Sequence, residues 1–372
     1  MHIGVPKEIK IHEYRVGLVP ASVLELVHHG HSVLVETGAG AGIGCGDDIY
    51  RAAGAEIVGN AADVFAKAEM IVKVKEPQPS ELKLLRDGQV LFTYLHLAPD
   101  PKQAKGLMDS GCTAIAYETV TDEAGGLPLL APMSAIAGRL AAQVGAHFLE
   151  KPSGGAGILL GGVPGAPAAK VVILGAGSVG SNALRIALGM QARVTVINKM
   201  LPRLIAIEER YGAQIETSLA TREAIETKVC DADLVIGAVL VAGASAPKLV
   251  SRDLVRSMRP GSVMVDVSID QGGCFETSKP TTHADPIYVV DGVIHYCVAN
   301  MPGAVPRTSA FALNNATLPF VLKLADLGAR EALTRDAHLR AGLNVNRGRI
   351  THRAVAESLG LGYCNPLETV RA

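Results

Sequence analysis

The first third of the chain alternates short apolar runs with longer segments whose apolar residues recur at helical spacing. The segment from Ala21 to His29, which Gly30 follows, is typical of such a helix. The apolar runs are predicted strands, and they cover residues 3–5, 33–35, 57–58, 70–74, 90–92 and 113–116. Strands that alternate with helices favour a parallel sheet in an α/β domain.

A second α/β block follows a long predicted helix over residues 133–150 and a glycine- and proline-rich segment over residues 154–167. Its predicted strands cover residues 170–174, 193–197, 213–215, 234–236 and 263–267. A last helix is predicted over residues 308–327, with a kink at Pro319 and an end at Gly328. The pattern predicts two doubly wound α/β domains. Residues 131–306 are predicted to form a central Rossmann domain, and residues 1–130 a discontinuous domain to which helices from residues 307–372 return.

The strand predicted over residues 170–174 runs directly into the pattern G-x-G-x-x-G, whose glycines are Gly175, Gly177 and Gly180. Helical spacing resumes immediately afterwards, so the pattern stands in the strand–turn–helix context that a dinucleotide fingerprint needs. The first glycine allows the tight turn, the second lets the backbone approach a pyrophosphate, and the third lets helix and strand pack closely. The central domain is therefore predicted to bind a nicotinamide or flavin dinucleotide. The alternative is a plain glycine-rich turn.

Composition excludes several classes of function. The chain has 372 residues and a net charge of -1, so it lacks the basic surface of a nucleic-acid-binding protein. It contains no Trp and 4% aromatic residues, which argues against a base-stacking platform. Six cysteines without a C-x-x-C pair are typical of reduced thiols, and no metal site is predicted. No apolar run has the length of about 18 residues that a membrane span needs, so a cytoplasmic protein is expected.

Two basic residues of the first domain are candidates for binding an anion. Arg15 precedes a predicted helix, and a guanidinium fork can hold a carboxylate with two parallel hydrogen bonds. Lys73 and Lys75 alternate onto one face of a strand, so at least one of them is expected at the carboxyl end of the sheet, where ligands of open α/β folds collect. The alternatives are a surface arginine and a solvated lysine at the sheet edge.

Two further candidates could transfer protons or stabilise charge. His96 ends an apolar run, and histidine titrates near neutrality, although a satisfied core histidine would look the same. Asp270 lies beyond the predicted strand over residues 263–267 and precedes two glycines, which suggests a close approach of the backbone to a ligand. Asp266 lies inside that strand and is predicted to be structural.

Several of these segments together resemble the alanine dehydrogenase family, and the likeness covers nearly the whole chain. The resemblance is carried by residues 13–16, 72–77, 91–97, 128–134, 233–240, 270–274 and 298–302, in that order and spacing. It implies reversible NAD-dependent oxidative deamination of L-alanine to pyruvate and ammonium. It also implies that Arg15 and Lys75 hold the substrate carboxylate, that His96 is the general acid/base, and that Asp270 stabilises the cationic iminium or carbinolamine.

The resemblance further implies a set of cofactor-binding residues and a homohexamer. Besides the three glycines of the fingerprint, the set comprises Ser134, Ser178, Val179, Asn198, Arg203, Val239, Leu240, Val267, Ser268, Ile269, Asp270, Lys279, Val298, Ala299, Asn300 and Met301. Asn198 departs from the expected pattern, because an acidic residue there would bind the adenosine ribose hydroxyls. Asn198, with Lys199 and Arg203 nearby, therefore predicts that NADP is tolerated beside NAD.

Two other functions remain open from the sequence. One is the NAD(H)-binding subunit of a proton-translocating transhydrogenase, which shares this architecture but needs membrane segments and a partner. The other is a redox-sensing protein that binds a dinucleotide without turnover.

Overall fold

The computed structural model describes residues 1–239 and 246–371. The chain forms two compact units, of which unit 1 joins Met1–Met133 to Val305–Ala372 and unit 2 is Ser134–Ala304. The boundaries predicted from the sequence lie after residues 130 and 306.

The strands of the described residues are numbered in chain order. They are β1 (His2–Val5), β2 (Ser32–Glu36), β3 (Glu56–Val58), β4 (Met70–Val72), β5 (Val90–Thr93), β6 (Thr113–Ala116), β7 (Lys170–Leu174), β8 (Arg193–Asn198), β9 (Ile215–Leu219), β10 (Leu234–Gly237), β11 (Val263–Asp266), β12 (Ile287–Val290), β13 (Val293–Tyr296), β14 (Leu343–Asn346) and β15 (Arg349–Ile350).

The α-helices of the same residues are numbered in the same way. They are α1 (Pro20–His28), α2 (Asp47–Ala52), α3 (Ala61–Lys67), α4 (Pro79–Leu82), α5 (Pro101–Ser110), α6 (Ala131–Phe148), α7 (Ser178–Gly189), α8 (Leu201–Tyr211), α9 (Arg222–Cys230), α10 (Arg252–Ser257), α11 (Pro306–Arg335), α12 (Ala337–Ala341), α13 (Arg353–Leu359) and α14 (Pro366–Arg371). No helix in the described part of the chain is long and apolar enough to cross a membrane.

The sheet of unit 1 has the order β15-β14-β6-β5-β4-β1-β2-β3. The strands from β6 to β3 are parallel, whereas β14 and β15 are antiparallel to their neighbours. Read across the sheet from β3, the parallel strands have the order 3-2-1-4-5-6 of a doubly wound fold. The strand order therefore reverses between β1 and β4. In such sheets, ligands bind beyond the carboxyl ends of the strands at this switch point.

The sheet of unit 2 has the order β12-β13-β11-β10-β7-β8-β9. Its strands are parallel except β12, which forms an antiparallel hairpin with β13. The parallel part repeats the doubly wound order of unit 1, and its switch point lies between β7 and β10. The predicted fold class of two doubly wound α/β domains is confirmed.

Each sheet buries apolar residues on both faces beneath its helices, as a parallel sheet must. The core of unit 1 includes Phe65, Ile71 and Leu91. The core of unit 2 includes Val172 and Phe275.

Four details of the predicted fold were wrong. The strand expected over residues 213–215 is β9 and begins only at Ile215, because a short 3-10 helix covers Gly212–Gln214. The C-terminal segment is not purely helical, because β14 and β15 extend the sheet of unit 1. The strands β12 and β13 were not predicted. In α11 the predicted end at Gly328 is confirmed, because the backbone leaves helical dihedral angles there with φ of 73°, but the kink predicted at Pro319 is wrong, since the dihedral angles at that residue are helical.

Candidate active site

The switch point of unit 1 is occupied by a buried set of charged side chains. Glu8 lies three residues after the end of β1, and Lys73 is the first residue after β4. The Lys73 Nζ lies 3.2 Å from Glu8 Oε2 and 2.6 Å from Glu81 Oε1, and the Lys73 side chain is fully buried. Burial lowers the pKa of Lys73, but the two carboxylates outweigh this effect and raise it above its ordinary value. Lys73 is therefore a charged structural residue inside the unit.

The sequence predicted that at least one of the two lysines after β4 reaches the carboxyl edge of the sheet, and Lys75 does so. Its side chain is half-buried rather than enclosed. Its charge lowers the pKa of Glu13, so the Lys75 ammonium acts on the Glu13 carboxylate. Lys73 and Lys75 are thus two residues apart in sequence but occupy different environments.

Arg15 is buried and forms a two-pronged ion pair with Glu13. Its Nε donates to Glu13 Oε1 at 2.7 Å, and its Nη2 donates to Oε2 at 2.5 Å. Nη1 contacts the sulfur of Met133 at 3.1 Å. Burial opposes ionisation of Glu13, but the hydrogen bonds and charge of Arg15 outweigh it and hold the Glu13 pKa below its usual range. The interpretation of Arg15 as a surface arginine is wrong, since the residue is 2% exposed.

His96 stands beyond the end of β5 in a left-handed backbone conformation, with φ of 48°. Its ring stacks on Tyr94, with 5.8 Å between ring centroids and 6° between planes. Its backbone N–H donates to Glu118 Oε1 at 2.6 Å, and the same carboxylate accepts from the Leu95 N–H. A left-handed non-glycine residue stores strain that such contacts must offset. The His96 side chain is 48% exposed, so it is not a core histidine and can meet a ligand.

Glu118 and Glu8 are residues that sequence reasoning missed. Each carboxylate accepts backbone N–H groups next to a candidate residue, Glu118 at His96 and Glu8 at Lys75. Neither carries a motif of its own, and nothing in the local pattern marks a carboxylate that binds backbone from a distant segment. Together, the ion pair at Arg15, the lysine at the sheet edge and the exposed imidazole can bind a carboxylate beside a proton-transfer group.

In unit 2 the glycine pattern forms the turn between β7 and α7. Gly175 has φ of 112°, which L side chains rarely adopt, and a Cβ there would overlap the carbonyl oxygen of Ala238. A Cβ at Gly180 would overlap the carbonyl oxygen of Gly175. Among the described residues, no side chain caps the N-terminus of α7 at Gly177. The backbone N–H groups of its first turn therefore fit a pyrophosphate.

The side chain of Asn198, at the end of β8, is held by the backbone around it. Its Oδ1 accepts from the Ala176 N–H at 3.3 Å, and its Nδ2 donates to the Met200 carbonyl at 3.0 Å. Arg203 is exposed, and its Nη1 lies 3.4 Å from the Ala176 carbonyl. Both residues therefore border the glycine turn, where the adenosine end of a dinucleotide would lie.

The turn after β11 is organised by Asp266, which is fully buried. Its carboxylate accepts from the backbone N–H groups of Ser268 and Cys274, at 3.0 and 2.8 Å, and from Ser278 Oγ at 2.5 Å. These bonds agree with the structural role predicted for Asp266. They also fix the 3-10 turn Ile269–Gln271, which presents Asp270 as an exposed side chain.

Ser268 joins this turn to the end of β10. Its Oγ accepts from the Val239 N–H at 3.1 Å and donates to the Val239 carbonyl at 2.6 Å. The other residues predicted to bind the cofactor in unit 2 lie on the following loops or at the start of the unit: Ser134 and Lys279, with Val298, Ala299, Asn300 and Met301 after β13. Asn300 has φ of 61°, and the Lys279 ammonium lies 4.4 Å from the Tyr288 ring centroid. Leu240 lies outside the described residues.

Comparison with known proteins shows the family of the chain. Family models described as "Alanine dehydrogenase/PNT, N-terminal domain" and "Alanine dehydrogenase/PNT, C-terminal domain" match residues 4–137 and 141–353. An alanine dehydrogenase from Halomonas elongata is 60% identical over 363 residues, which are 98% of each chain.

Solved structures extend the comparison to the fold. A structure described as L-alanine dehydrogenase has a TM-score of 0.94 and 53% identity, and the match covers 97% of this chain and 99% of that one. A transhydrogenase from Sinorhizobium meliloti has a TM-score of 0.83 at 24% identity, covering 94% of this chain and 100% of that one, which shows a shared fold alone. With both family models matched and a relative this similar along its whole length, the chain belongs to the alanine dehydrogenase/PNT family.

Proposed function

We propose that this protein is an NAD-dependent L-alanine dehydrogenase, which interconverts L-alanine with pyruvate and ammonium. The observation that carries the proposal is the set of side chains at the carboxyl edge of unit 1. Arg15 is ion-paired with Glu13, the charge of Lys75 lowers the pKa of the Glu13 carboxyl, and the His96 ring stacks on Tyr94. The identity of 60% to an alanine dehydrogenase supports the same reaction.

In this proposal Arg15 and Lys75 bind the substrate carboxylate. Arg15 is oriented by Glu13 through Nε and Nη2, so the direction of its guanidinium plane is fixed before substrate arrives. Lys75 also polarises the carbonyl oxygen of pyruvate in the aminating direction. Two cations suit a carboxylate because each adds a charge-assisted hydrogen bond.

His96 is the proposed general acid/base, and its ring orientation follows from stacking on Tyr94. Nicotinamide, when bound, would accept the hydride from the alanine Cα and would return it to the imine in the reverse direction. Asp270 is the proposed partner of the cationic iminium or carbinolamine, and its carboxylate steers the attacking water or ammonia. The exposed position of Asp270 on a turn fixed by Asp266 supports this role.

The cofactor is proposed to lie along the carboxyl edge of unit 2. Gly175, Gly177 and Gly180, with Ser178 and Val179, are assigned to the pyrophosphate, and Asn198 and Arg203 to the adenosine ribose. The remaining residues predicted from the resemblance are assigned to the nicotinamide half. We propose NAD as the principal cofactor with NADP tolerated, since the chain has an amide instead of a carboxylate at residue 198. A homohexamer in the cytoplasm is also proposed, from the family resemblance.

Incubation of the purified protein with L-alanine and NAD tests the function, with the absorbance of reduced nicotinamide as the signal. Reduction of NAD by L-alanine, and oxidation of NADH by pyruvate only when ammonium is present, is the expected result. Binding of NADH without turnover would indicate the redox-sensing or transhydrogenase alternative instead. Turnover of lactate but not alanine would refute the proposal.

A further inference from the structure

The backbone around Lys75 lies beside β5 on one side, but it extends beyond the end of β1 on the other. Strand β1 pairs with β4 through Ile3 and Gly4, and it ends at Val5, before Pro6. Strand β4 ends at Val72, but the following residues still bond to the β5 side, since the Lys73 N–H donates to the Phe92 carbonyl and the Val74 carbonyl accepts from the Tyr94 N–H. The N–H groups of Val74 and Lys75 therefore lie beyond the part of β4 that pairs with β1, which ends at Ile71 opposite Gly4.

The Glu8 carboxylate provides an acceptor for both N–H groups. Its Oε1 accepts from the Val74 N–H at 2.7 Å and from the Lys75 N–H at 3.3 Å. Glu8 is reached only three residues after β1, so its side chain continues the pairing that the β1 backbone ends. A carboxylate oxygen can accept both N–H groups because it has two lone-pair directions.

On the opposite side, β5 holds the same segment. The Tyr94 N–H donates to the Val74 carbonyl at 3.2 Å, and Thr93 Oγ1 donates to the Lys75 carbonyl at 2.9 Å. The peptide groups on both sides of the Lys75 Cα are thus bonded, one to the side chain of Glu8 and one to that of Thr93. The Lys75 Cα, from which the side chain extends, is therefore held by the Tyr94 N–H and the Thr93 side chain on one side and by the Glu8 side chain on the other.

The Glu8 carboxylate is itself fixed by charge. Its Oε2 lies 3.2 Å from Lys73 Nζ, and that ammonium is bound on its other side by Glu81. Glu81 in turn accepts the Gln78 N–H at 2.7 Å, within a capping box at the start of α4. Burial raises the pKa of Glu8 against the opposing effect of Lys73, so the ionised carboxylate depends on its partners.

We infer that Glu8 is a positioning residue for substrate binding, which sets Lys75 at the carboxyl edge of unit 1 by binding its backbone. Glu8 does not touch substrate, and its action passes through Lys75. The inference rests on the proposed function in one respect, namely that Lys75 binds the substrate carboxylate. The placement of Lys75 by Glu8 is tested separately below.

The variant Glu8→Gln tests the inference because an amide has one acceptor oxygen. That oxygen can accept either from the Lys73 ammonium or from the N–H groups of Val74 and Lys75. The amide NH₂ group then faces the remaining donor, with which it cannot form a hydrogen bond. Glu81→Gln is the matched control, since Glu81 is an equally buried carboxylate on the same ammonium. Each variant leaves Lys73 with one carboxylate, and only the change at Glu8 disturbs Lys75.

Steady-state kinetics and thermal unfolding are measured for both variants. We expect similar losses of melting temperature, but a rise of the pyruvate KM by about tenfold or more in Glu8→Gln alone, equivalent to about 1.4 kcal/mol. The affinity for NADH, from its fluorescence, is expected to stay unchanged. Equal rises of KM in the two variants would show that the network merely stabilises the unit and would overturn the inference.

A second readout does not depend on activity. The rate of reductive methylation of Lys75 is followed by peptide mass spectrometry, with exposed Lys105 as internal standard. We expect the rate at Lys75 to rise in Glu8→Gln and to stay at the wild-type value in Glu81→Gln. An unchanged rate in Glu8→Gln would overturn the positioning role. A changed rate in a protein that does not turn over alanine would refute the proposed function and leave the placement of Lys75 intact.

Discussion

The two units share one strand order but form their candidate sites from different material. In unit 2, the turn at Gly175–Gly180 is shaped by backbone: a positive φ and two positions where a Cβ would strike a carbonyl oxygen. In unit 1, the same edge of the sheet carries buried ion pairs, of which Arg15 with Glu13 and Lys73 with Glu8 are examples. One site is set by the absence of side chains and the other by their charges.

The difference separates two ways in which a doubly wound sheet can bind ligands at its switch point. Backbone N–H groups at a helix N-terminus suit a phosphate, whose recognition needs close approach more than a particular side chain. A small carboxylate substrate has little surface to bury, so its binding must come from oriented charge. Buried charges are costly unless each has a partner, which explains why the candidate cations of unit 1 occur beside carboxylates.

Replacement of His96 by Ala is expected to give the largest effect, because it should lower the rate of catalysis without changing the binding of the cofactor. If proton transfer belongs to unit 1, His96→Ala lowers kcat by about 10²–10⁴ while the dissociation constant for NADH stays unchanged. His147→Ala is a suitable control, because this histidine lies on α6 with 60% of its side chain exposed. Near-full turnover in His96→Ala, measured by the alanine assay, would show that His96 of unit 1 is not the group that transfers protons.

Replacement of Gly180 by Ala is expected to affect the stability of unit 2 and its binding of NADH, rather than proton transfer in unit 1. The new Cβ would overlap the Gly175 carbonyl oxygen, so α7 must move from β7, at a cost of about 3 kcal/mol in the free energy of unfolding. NADH binding is expected to weaken with it. Gly189→Ala is the matched control at the other end of α7, where a Cβ would meet no atom within 4 Å. It should stabilise the helix by about 0.5–1 kcal/mol. Equal unfolding curves for the two variants, in chemical denaturation, would contradict this account.

The smallest expected effect concerns Asn198, the position in unit 2 where a side chain is proposed to select the ligand. Asn198→Asp should raise the NAD/NADP ratio of kcat/KM by about tenfold, because a carboxylate binds the ribose hydroxyls better and repels a 2′-phosphate. The structure adds a cost, since a carboxylate cannot donate to the Met200 carbonyl as the amide does. An unchanged ratio together with a lower melting temperature would mean that residue 198 supports the loop rather than the cofactor.

Much of the fold could be predicted because apolar strands of a parallel sheet are short continuous runs. The prediction for β6 and β7 matches their observed bounds, since both are buried along almost their whole length. The prediction failed at β9, whose residues Ile215–Leu219 are mostly half-exposed and polar, as is common at a sheet edge. The strands β12 and β15 are also edge strands. β15 has only two residues, too few to give a pattern, whereas β12 is an apolar run of four residues that was simply not assigned as a strand.

The candidate site was predictable to a different degree in each unit. Glycines that need a positive φ or a close approach leave a signal within six residues, so the turn at Gly175 was recognised directly. The partners of Arg15 and Lys75 could not be predicted in this way, because the fold decides which side chains meet. Glu8 lies 65 residues from Lys73 in sequence, and Glu118 lies 22 residues from His96. Their contacts arise only once the strands are aligned.

The strands β14 and β15 have a consequence for the synthesis of the protein on the ribosome. Unit 2 is continuous in sequence, so all of its residues are available for folding once residue 304 has left the exit tunnel. Unit 1 must wait, because β6 pairs with β14, some 230 residues later in the chain. Until residues 343–350 emerge, β6 is an open sheet edge of the nascent protein, and unpaired edges of this kind promote aggregation. The chain thus completes unit 2 before it can complete the unit that holds the charges proposed to bind the substrate.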